Sequence, residues 1–163
     1  MLSHDAALKI IKLLGELSGV WGMIGGQTID IENENKQPDV SVILEMYRMK
    51  TGALLEFCCR AGCIAAGAGA DKQLAAGSFG QRLGLAFQIV DDILDVTADE
   101  KLLGKPVGSD AEDGKFTYVT AVGVEKSKER AAELSEQAKR CLVEFIDNEF
   151  LIGLTDMLLD RRF

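Results

Sequence analysis

Two prolines punctuate the chain, Pro38 and Pro106, and both stand in polar, loop-like surroundings. Proline breaks a helix from inside, so its confinement to two loops leaves long stretches in which helices can run uninterrupted. No run of alternating β-branched residues appears, whereas apolar residues recur at the spacing of a helix buried along one face. The chain therefore reads as all-α. Its 163 residues are expected to form one domain, 1–163, because domains commonly run ~100–200 residues.

Leu8, Ile11, Leu14 (or Leu13), Leu17 and Val20 predict a first helix from about Asp5 to Ile31, with Ser3 as its cap. The polar segment from Glu32 to Asp39 turns the chain. A second helical stretch then reaches about Gly67, with Val42, Leu44, Met46, Leu54, Leu55, Phe57 and Ile64 as candidate core. Gly52 and Gly62 lie inside it, each costing ~1 kcal/mol relative to alanine, and a bend is expected near Gly52. A third helix runs from about Ser78 to Val96. A long polar stretch follows, Thr97 to Lys115, of a length that usually marks a functional or mobile loop. Two further helices are expected at about Val124–Asp147 and Leu151–Arg161.

Charge excludes some functions. With 26 acidic against 18 basic residues, a net charge of -8 and a pI near 4.7, the chain does not suit general nucleic-acid binding, which needs cations to displace phosphate counterions. The longest uncharged stretch, Leu17–Ile29, holds four glycines and falls short of the ~20 apolar residues of a membrane span. Asp5 and Lys9 interrupt any early apolar run, so no secretory signal is read. The four cysteines, Cys58, Cys59, Cys63 and Cys141, form no Cys-x-x-Cys pair, and His4 is the only histidine. They read as reduced, packed thiols in a cytoplasmic protein, rather than as a zinc site or a thiol catalyst.

The richest constellation is Gln88-Ile-Val-Asp91-Asp92-Ile-Leu-Asp95. On a helix Asp91 and Asp95 are i,i+4 and Asp92 and Asp95 are i,i+3, so three carboxylates fall in one sector, with Gln88 a turn earlier. No basic residue lies between Arg82 and Lys101 to pair with them. Mg²⁺ would relieve the repulsion, being a hard cation that takes a few carboxylates plus water and phosphate oxygens. A solvated acidic face is the plain alternative, and the apolar flanks Leu85, Ala86, Ile89, Val90, Ile93 and Leu94 argue against it. Lys50, Lys105 and Lys115 are the lysines at the bend and on or beside the long loop. Gly15, Gly19, Gly22 and Gly26 form a side-chain-free stripe along the first helix, suited to close helix approach or to lining a cavity. Gln27 and Asp30, just beyond it, need water, a partner or a ligand.

Together these residues resemble the trans-isoprenyl diphosphate synthase (polyprenyl synthetase) family, most closely the bacterial farnesyl/geranyl diphosphate synthases. The resemblance rests on Gly22-Met-Ile-Gly-Gly-Gln-Thr-Ile-Asp30, Lys50-Thr-Gly-Ala-Leu-Leu55, Gly84-Leu-Ala-Phe-Gln-Ile-Val-Asp-Asp-Ile-Leu-Asp95, Leu103-Gly-Lys-Pro-Val-Gly-Ser-Asp110 and Gly114-Lys-Phe-Thr-Tyr118. It implies an isoprenoid synthase-type helical bundle around an apolar cavity, here its C-terminal helices. Asp91, Asp92 and Asp95 look like the family's second aspartate-rich motif, which binds Mg²⁺, with Asp91 the best candidate for a direct ligand. Lys50, Lys105 and Lys115 look like the lysines that hold the allylic diphosphate, and Thr51 and Gln88 like the polar groups that face the allylic cation. The implied reaction is condensation of dimethylallyl or geranyl diphosphate with isopentenyl diphosphate to geranyl or farnesyl diphosphate. The family also implies a homo-oligomer, typically a dimer.

Two departures stand out. Val119 occupies a position where the family usually has proline. The sequence also begins near the family's sixth helix, and only one D-D-x-x-D occurs in it. The chain is thus expected to be the C-terminal half of a synthase, inactive alone. The alternative is a short non-catalytic paralogue that partners a full-length synthase.

Overall fold

Helical periodicity in the sequence becomes a set of helices arranged around one long member, in a computed structural model that describes residues 2–97 and 114–159. In order these are α1 (His4–Ser18), α2 (Met23–Glu32), α3 (Val40–Tyr47), a π-helical turn (Arg48–Gly52), α4 (Ala53–Ala65), α5 (Ala70–Thr97), α6 (Tyr118–Val122), α7 (Val124–Cys141), a 3₁₀ turn (Leu142–Glu144) and α8 (Glu149–Leu159). No strand occurs among the described residues, and none of their helices is long and apolar enough to cross a membrane.

The expected first helix is two. Ser3 caps α1 as predicted, its hydroxyl accepting from the Ala6 N–H. The helix then stops at Ser18, and the turn through Gly19–Gly22 is closed by the Gly22 N–H donating to the Gly19 carbonyl at 3.0 Å. Helix-poor glycines make that break cheap, and Gly22 folds directly over the Leu17 carbonyl, where a side chain would collide. The four glycines therefore do not make a stripe: Gly15 faces open space, and only Gly26 reaches a neighbouring helix. Leu8, Ile11, Val20 and Trp21 stay exposed.

The second helical stretch spans α3, the π turn and α4, so the place where a bend is expected is a π-helical turn ending at Gly52. The third helix starts eight residues earlier than expected, at Ala70. Gly77 does not end it because Gly77, Gly80 and Gly84 recur on one face and abut α4. A methyl on Gly80 would lie 2.5 Å from the Leu55 carbonyl oxygen, and one on Gly84 would lie 2.7 Å from the Gly52 Cα. At Gly80 and Gly84 the α5 backbone thus meets that of α4 and of the π turn with no side chain between them.

On its other flank α5 packs against α7. One buried cluster joins Ile43 and Tyr47 of α3 to Ile89, Val90 and Ile93 of α5, Tyr118 and Val119 of α6 and Leu134 of α7. A second joins Phe79 and Leu83 to Ala138 and Leu142, with Cys59 and Cys141 packed against it. α7 ends earlier than expected, at Cys141, because Leu142 enters this cluster and Asn148 donates its side-chain amide to the Leu142 carbonyl at 2.9 Å. All four cysteines are free thiols.

Two glycines of neighbouring helices are expected to respond oppositely to alanine. Gly84→Ala should destabilise the chain by about 1–3 kcal/mol through overpacking against backbone. Gly62→Ala, whose methyl meets nothing within 4 Å, should stabilise it by up to ~1 kcal/mol. Urea titrations of the two variants check both signs.

A pH effect follows from packing at Cys59. Burial pushes this thiol from 9.0 up to about 11, with Cys58 and Cys63 adding to the rise. The folded thiol keeps its proton where the unfolded chain loses it, so its contribution is full below pH 9.0 and falls as pH climbs toward about 11. Cys59→Ala should show a shallower alkaline loss of stability over that window in the same urea assay.

Candidate functional site

Two glycines on different helices close over the π turn from either side. Gly26 of α2 lies against the Lys50 backbone, where a methyl would collide with its amide nitrogen and lie 2.8 Å from its Cα. Gly84 of α5 lies against Gly52, as above. One helical turn past each glycine stands a polar residue on the same face. Asp30 follows Gly26, and Lys50 Nζ donates to Asp30 Oδ2 at 2.5 Å. Gln88 follows Gly84, and the Thr51 hydroxyl donates to Gln88 Oε1 at 3.2 Å. The π turn, a deviation that often accompanies functional sites, therefore presents Lys50 to one helix and Thr51 to another. Arg48 in the same turn is engaged elsewhere, and its guanidinium holds the Glu45 carboxyl below the usual carboxylate range.

A further turn along α5, Asp92 gathers several donors. Gln88 Nε2 donates to its Oδ1 at 3.4 Å, and the Tyr47 hydroxyl donates to its Oδ2 at 2.6 Å. The Tyr118 N–H points to both Asp92 Oδ2, at 3.3 Å, and Tyr47 Oη, at 3.2 Å. This buried knot ties α3, α5 and the start of α6 together.

Above the knot opens a cavity of about 310 Å³. Its polar lining includes Asp30, Lys50, Gln88, Asp91, Asp92 and Lys115, and its apolar lining Ile29, Val42, Met46 and Phe116. Lysines and carboxylates distant in sequence thus converge on one space, and Thr51 adjoins it through Gln88. Lys105 lies outside the described residues. Two of the expected residues stand apart from this lining. Gln27 is exposed and does not line the cavity, so α2 contributes Asp30 alone of that pair. Asp95 is buried but is not among the lining residues. It sits one turn, ~5.4 Å, beyond Asp91 along the helix axis.

Sequence reasoning missed Tyr47 and Asn35. Tyr47 was not singled out, though it lies a turn before Lys50 and carries a hydroxyl that burial obliges to find a partner. Asn35 read only as part of a polar turn.

Among the described residues no three His, Cys, Asp or Glu side chains form a ready metal-ligand group. The donor set nevertheless suits a hard divalent cation, which binds through one or two carboxylates and completes its shell with water and phosphate oxygens. Asp91 and Asp92 offer carboxylate oxygen at the cavity wall, with lysines nearby to share an anionic ligand.

Known proteins match this arrangement. The polyprenyl synthetase family model matches residues 1–145. A dimethylallyltranstransferase of Fischerella ambigua is 37% identical over 159 residues, covering 96% of this chain and 46% of that protein. The farnesyl diphosphate synthase of Escherichia coli is 35% identical over 165 residues, covering 98% and 55%. The crystal structure of a geranylgeranyl pyrophosphate synthetase from Pyrococcus horikoshii superposes with a TM-score of 0.90 at 26% identity, over 99% of this chain and 61% of that one. The chain spans about half the length of the curated relatives it matches. With the helices, the glycine contacts and the cavity lining all following the order of the motifs, the chain belongs to the polyprenyl synthetase family.

Proposed function

We propose that this chain forms the allylic-diphosphate side of a short-chain prenyltransferase site, in which an allylic diphosphate is ionised and joined to isopentenyl diphosphate. The observation that carries this reading is the convergence of Lys50 and Lys115 with Asp91 and Asp92 on a cavity that also has apolar walls. A diphosphate needs concentrated positive charge, which an acidic chain must localise. A prenyl tail needs an apolar wall. Both requirements meet in one space.

In this reading Lys50 and Lys115 bind the leaving diphosphate, and Asp30 orients the Lys50 ammonium toward the cavity before ligand arrives. Asp91, with Asp92 beside it, would hold Mg²⁺, which when bound supplies charge neutralisation to the departing diphosphate. As the C–O bond breaks, positive charge develops on the allyl group. The oxygen dipoles of Thr51 and Gln88, already oriented by their mutual hydrogen bond, are placed to stabilise it without reorganisation. Ile29, Val42, Met46 and Phe116 keep water from quenching it. The alkylated product loses a proton to finish the step. Lys105 is proposed as a third lysine for the diphosphate on the strength of the motif alone. The names of the relatives, dimethylallyltranstransferase and farnesyl diphosphate synthase among them, support the same chemistry.

Calorimetric titration of the 163-residue chain with geranyl diphosphate tests this site. Binding should require Mg²⁺, and Lys50→Met should weaken it by about tenfold or more, the scale of a lost charge-assisted hydrogen bond. The chain alone should give little or no condensation with isopentenyl diphosphate, because its sequence holds one D-D-x-x-D. Metal-independent or absent binding would overturn the site. Robust product from the chain alone would overturn the half-site reading.

A further inference from the structure

Lys115 sits in a segment with no regular structure of its own, Gly114–Thr117, between the described start at Gly114 and α6. Such a segment has no ladder or helix bonds to fix its path, so side-chain packing, as of Phe116 against the core cluster, and whatever holds its ends set its position. Both ends are held. At the first, the Asn35 N–H donates to the Gly114 carbonyl at 2.8 Å. Asn35 has φ 58 and Gly114 φ 68, both left-handed conformations, and a methyl on Gly114 would collide with Asn35 Oδ1. At the second end, the Tyr118 N–H is shared between Tyr47 Oη and Asp92 Oδ2, and the Tyr47 hydroxyl itself donates to Asp92. Tyr47 is 4% and Asp92 2% exposed, so this contact is made in a dry interior, where a hydrogen bond to a carboxylate is strong and its loss leaves buried polar groups unmatched.

From this geometry we infer that Tyr47 and Asn35 are positioning residues: together they clamp the segment bearing Lys115 at both ends and hold that lysine at the cavity. The inference rests on the diphosphate reading of the site, and names residues outside the lysine and aspartate motifs that make it work. Tyr47 acts through the Tyr118 amide and Asp92. Asn35 acts through its backbone N–H, and its side chain matters because asparagine tolerates the left-handed conformation that presents this N–H to Gly114. The substitution that removes each role can therefore be chosen without disturbing the fold. Tyr47→Phe deletes only the hydroxyl and keeps the ring in its core cluster. Asn35→Val forces a β-branched side chain into a left-handed position on an exposed loop, whereas Asn35→Gly preserves the conformation.

The chain has two tyrosines, so ¹⁵N-tyrosine labelling of Tyr47→Phe leaves a single labelled amide, that of Tyr118. Its hydrogen exchange, measured without ligand, should be faster than in the parent by about tenfold, as expected for one lost buried hydrogen bond. Unchanged exchange would overturn the clamp. Calorimetry with inorganic pyrophosphate and Mg²⁺ then reads its consequence. Tyr47→Phe and Lys115→Met should each weaken binding by about tenfold, and the double variant should be no weaker than Lys115→Met, because one acts through the other. Additive losses would overturn the inference, since a merely structural role for Tyr47 would leave Lys115 contributing as before. Asn35→Val should weaken pyrophosphate binding and Asn35→Gly should restore it; equal affinities in both would overturn the first clamp. If the parent chain binds no pyrophosphate, the diphosphate reading falls and takes the clamp's purpose with it, an outcome distinct from normal binding in Tyr47→Phe, which removes the clamp alone.

Discussion

Backbone-to-backbone contact between α4 and α5 is the constraint from which the site follows. Gly84 can approach Gly52 only because neither carries a side chain, and Gly80 reaches the Leu55 carbonyl for the same reason. Glycine inside a helix costs about 1 kcal/mol relative to alanine, so the pair would be a liability in an isolated helix. Here the loss is offset by close packing along a shared seam, and the seam sets the register of α5. Once Gly84 is seated, Gln88 must face Thr51 one turn on, and Asp92 must follow one turn later. A shift of α5 by one residue would rotate it by about 100° and send all three elsewhere. Gly26 does for α2 and Asp30 what Gly84 does for α5 and Gln88.

Electrostatics then refines what packing places. Lys50 and Asp30 have different exposures, with side chains 38% and 14% accessible. The carboxylate is the more withdrawn partner, so it acts as a fixed anchor, and the ammonium keeps part of its surface on the cavity. A partly exposed ion pair of this kind adds little to stability. Its value is orientation: a lysine stem with four rotatable bonds is confined to one direction before a ligand arrives, which lowers the ordering entropy that binding must overcome.

The helical class and a break in regular α-helix near Gly52 were legible in local period and residue type, and the meeting of Lys50, Gln88 and Asp91 only through the family resemblance of their motifs. The glycines were not. The helix breaks at Gly19–Gly22 but runs on through Gly77, although both places lie in a run of small residues. The difference lies in what approaches: Gly22 folds over its own Leu17 carbonyl, whereas Gly77 is covered by the Arg60 side chain of α4. That information is tertiary and has no local signature. Leu8 and Ile11 show the same limit. Their spacing predicts a helix correctly, yet says nothing of whether the apolar face it creates is covered, and in α1 it is exposed. Tyr47 and Asn35 escaped notice because their partners, Asp92, Tyr118 and Gly114, are distant in sequence and two of those contacts use backbone atoms.

Three aspartates of one motif end in three environments, and hydrogen bonding separates them more sharply than charge does. A carboxylate offers about four lone-pair directions. Asp92 uses its Oδ2 for the Tyr47 hydroxyl and the Tyr118 N–H, and its Oδ1 lies 3.4 Å from the Gln88 amide. Drawing that carboxylate fully toward a cation would strip a buried hydroxyl and a buried backbone N–H of their acceptor, a penalty of about 1–3 kcal/mol for each group. Asp92 therefore ties the cavity floor together while lining the cavity beside Asp91. Asp95, one turn further, is buried and out of the lining. Asp91 is half-buried at the cavity wall. Three carboxylates that look equivalent along a helix thus differ in burial and place: Asp91 half-buried at the cavity wall, Asp92 buried in the knot beneath it, and Asp95 buried outside the lining.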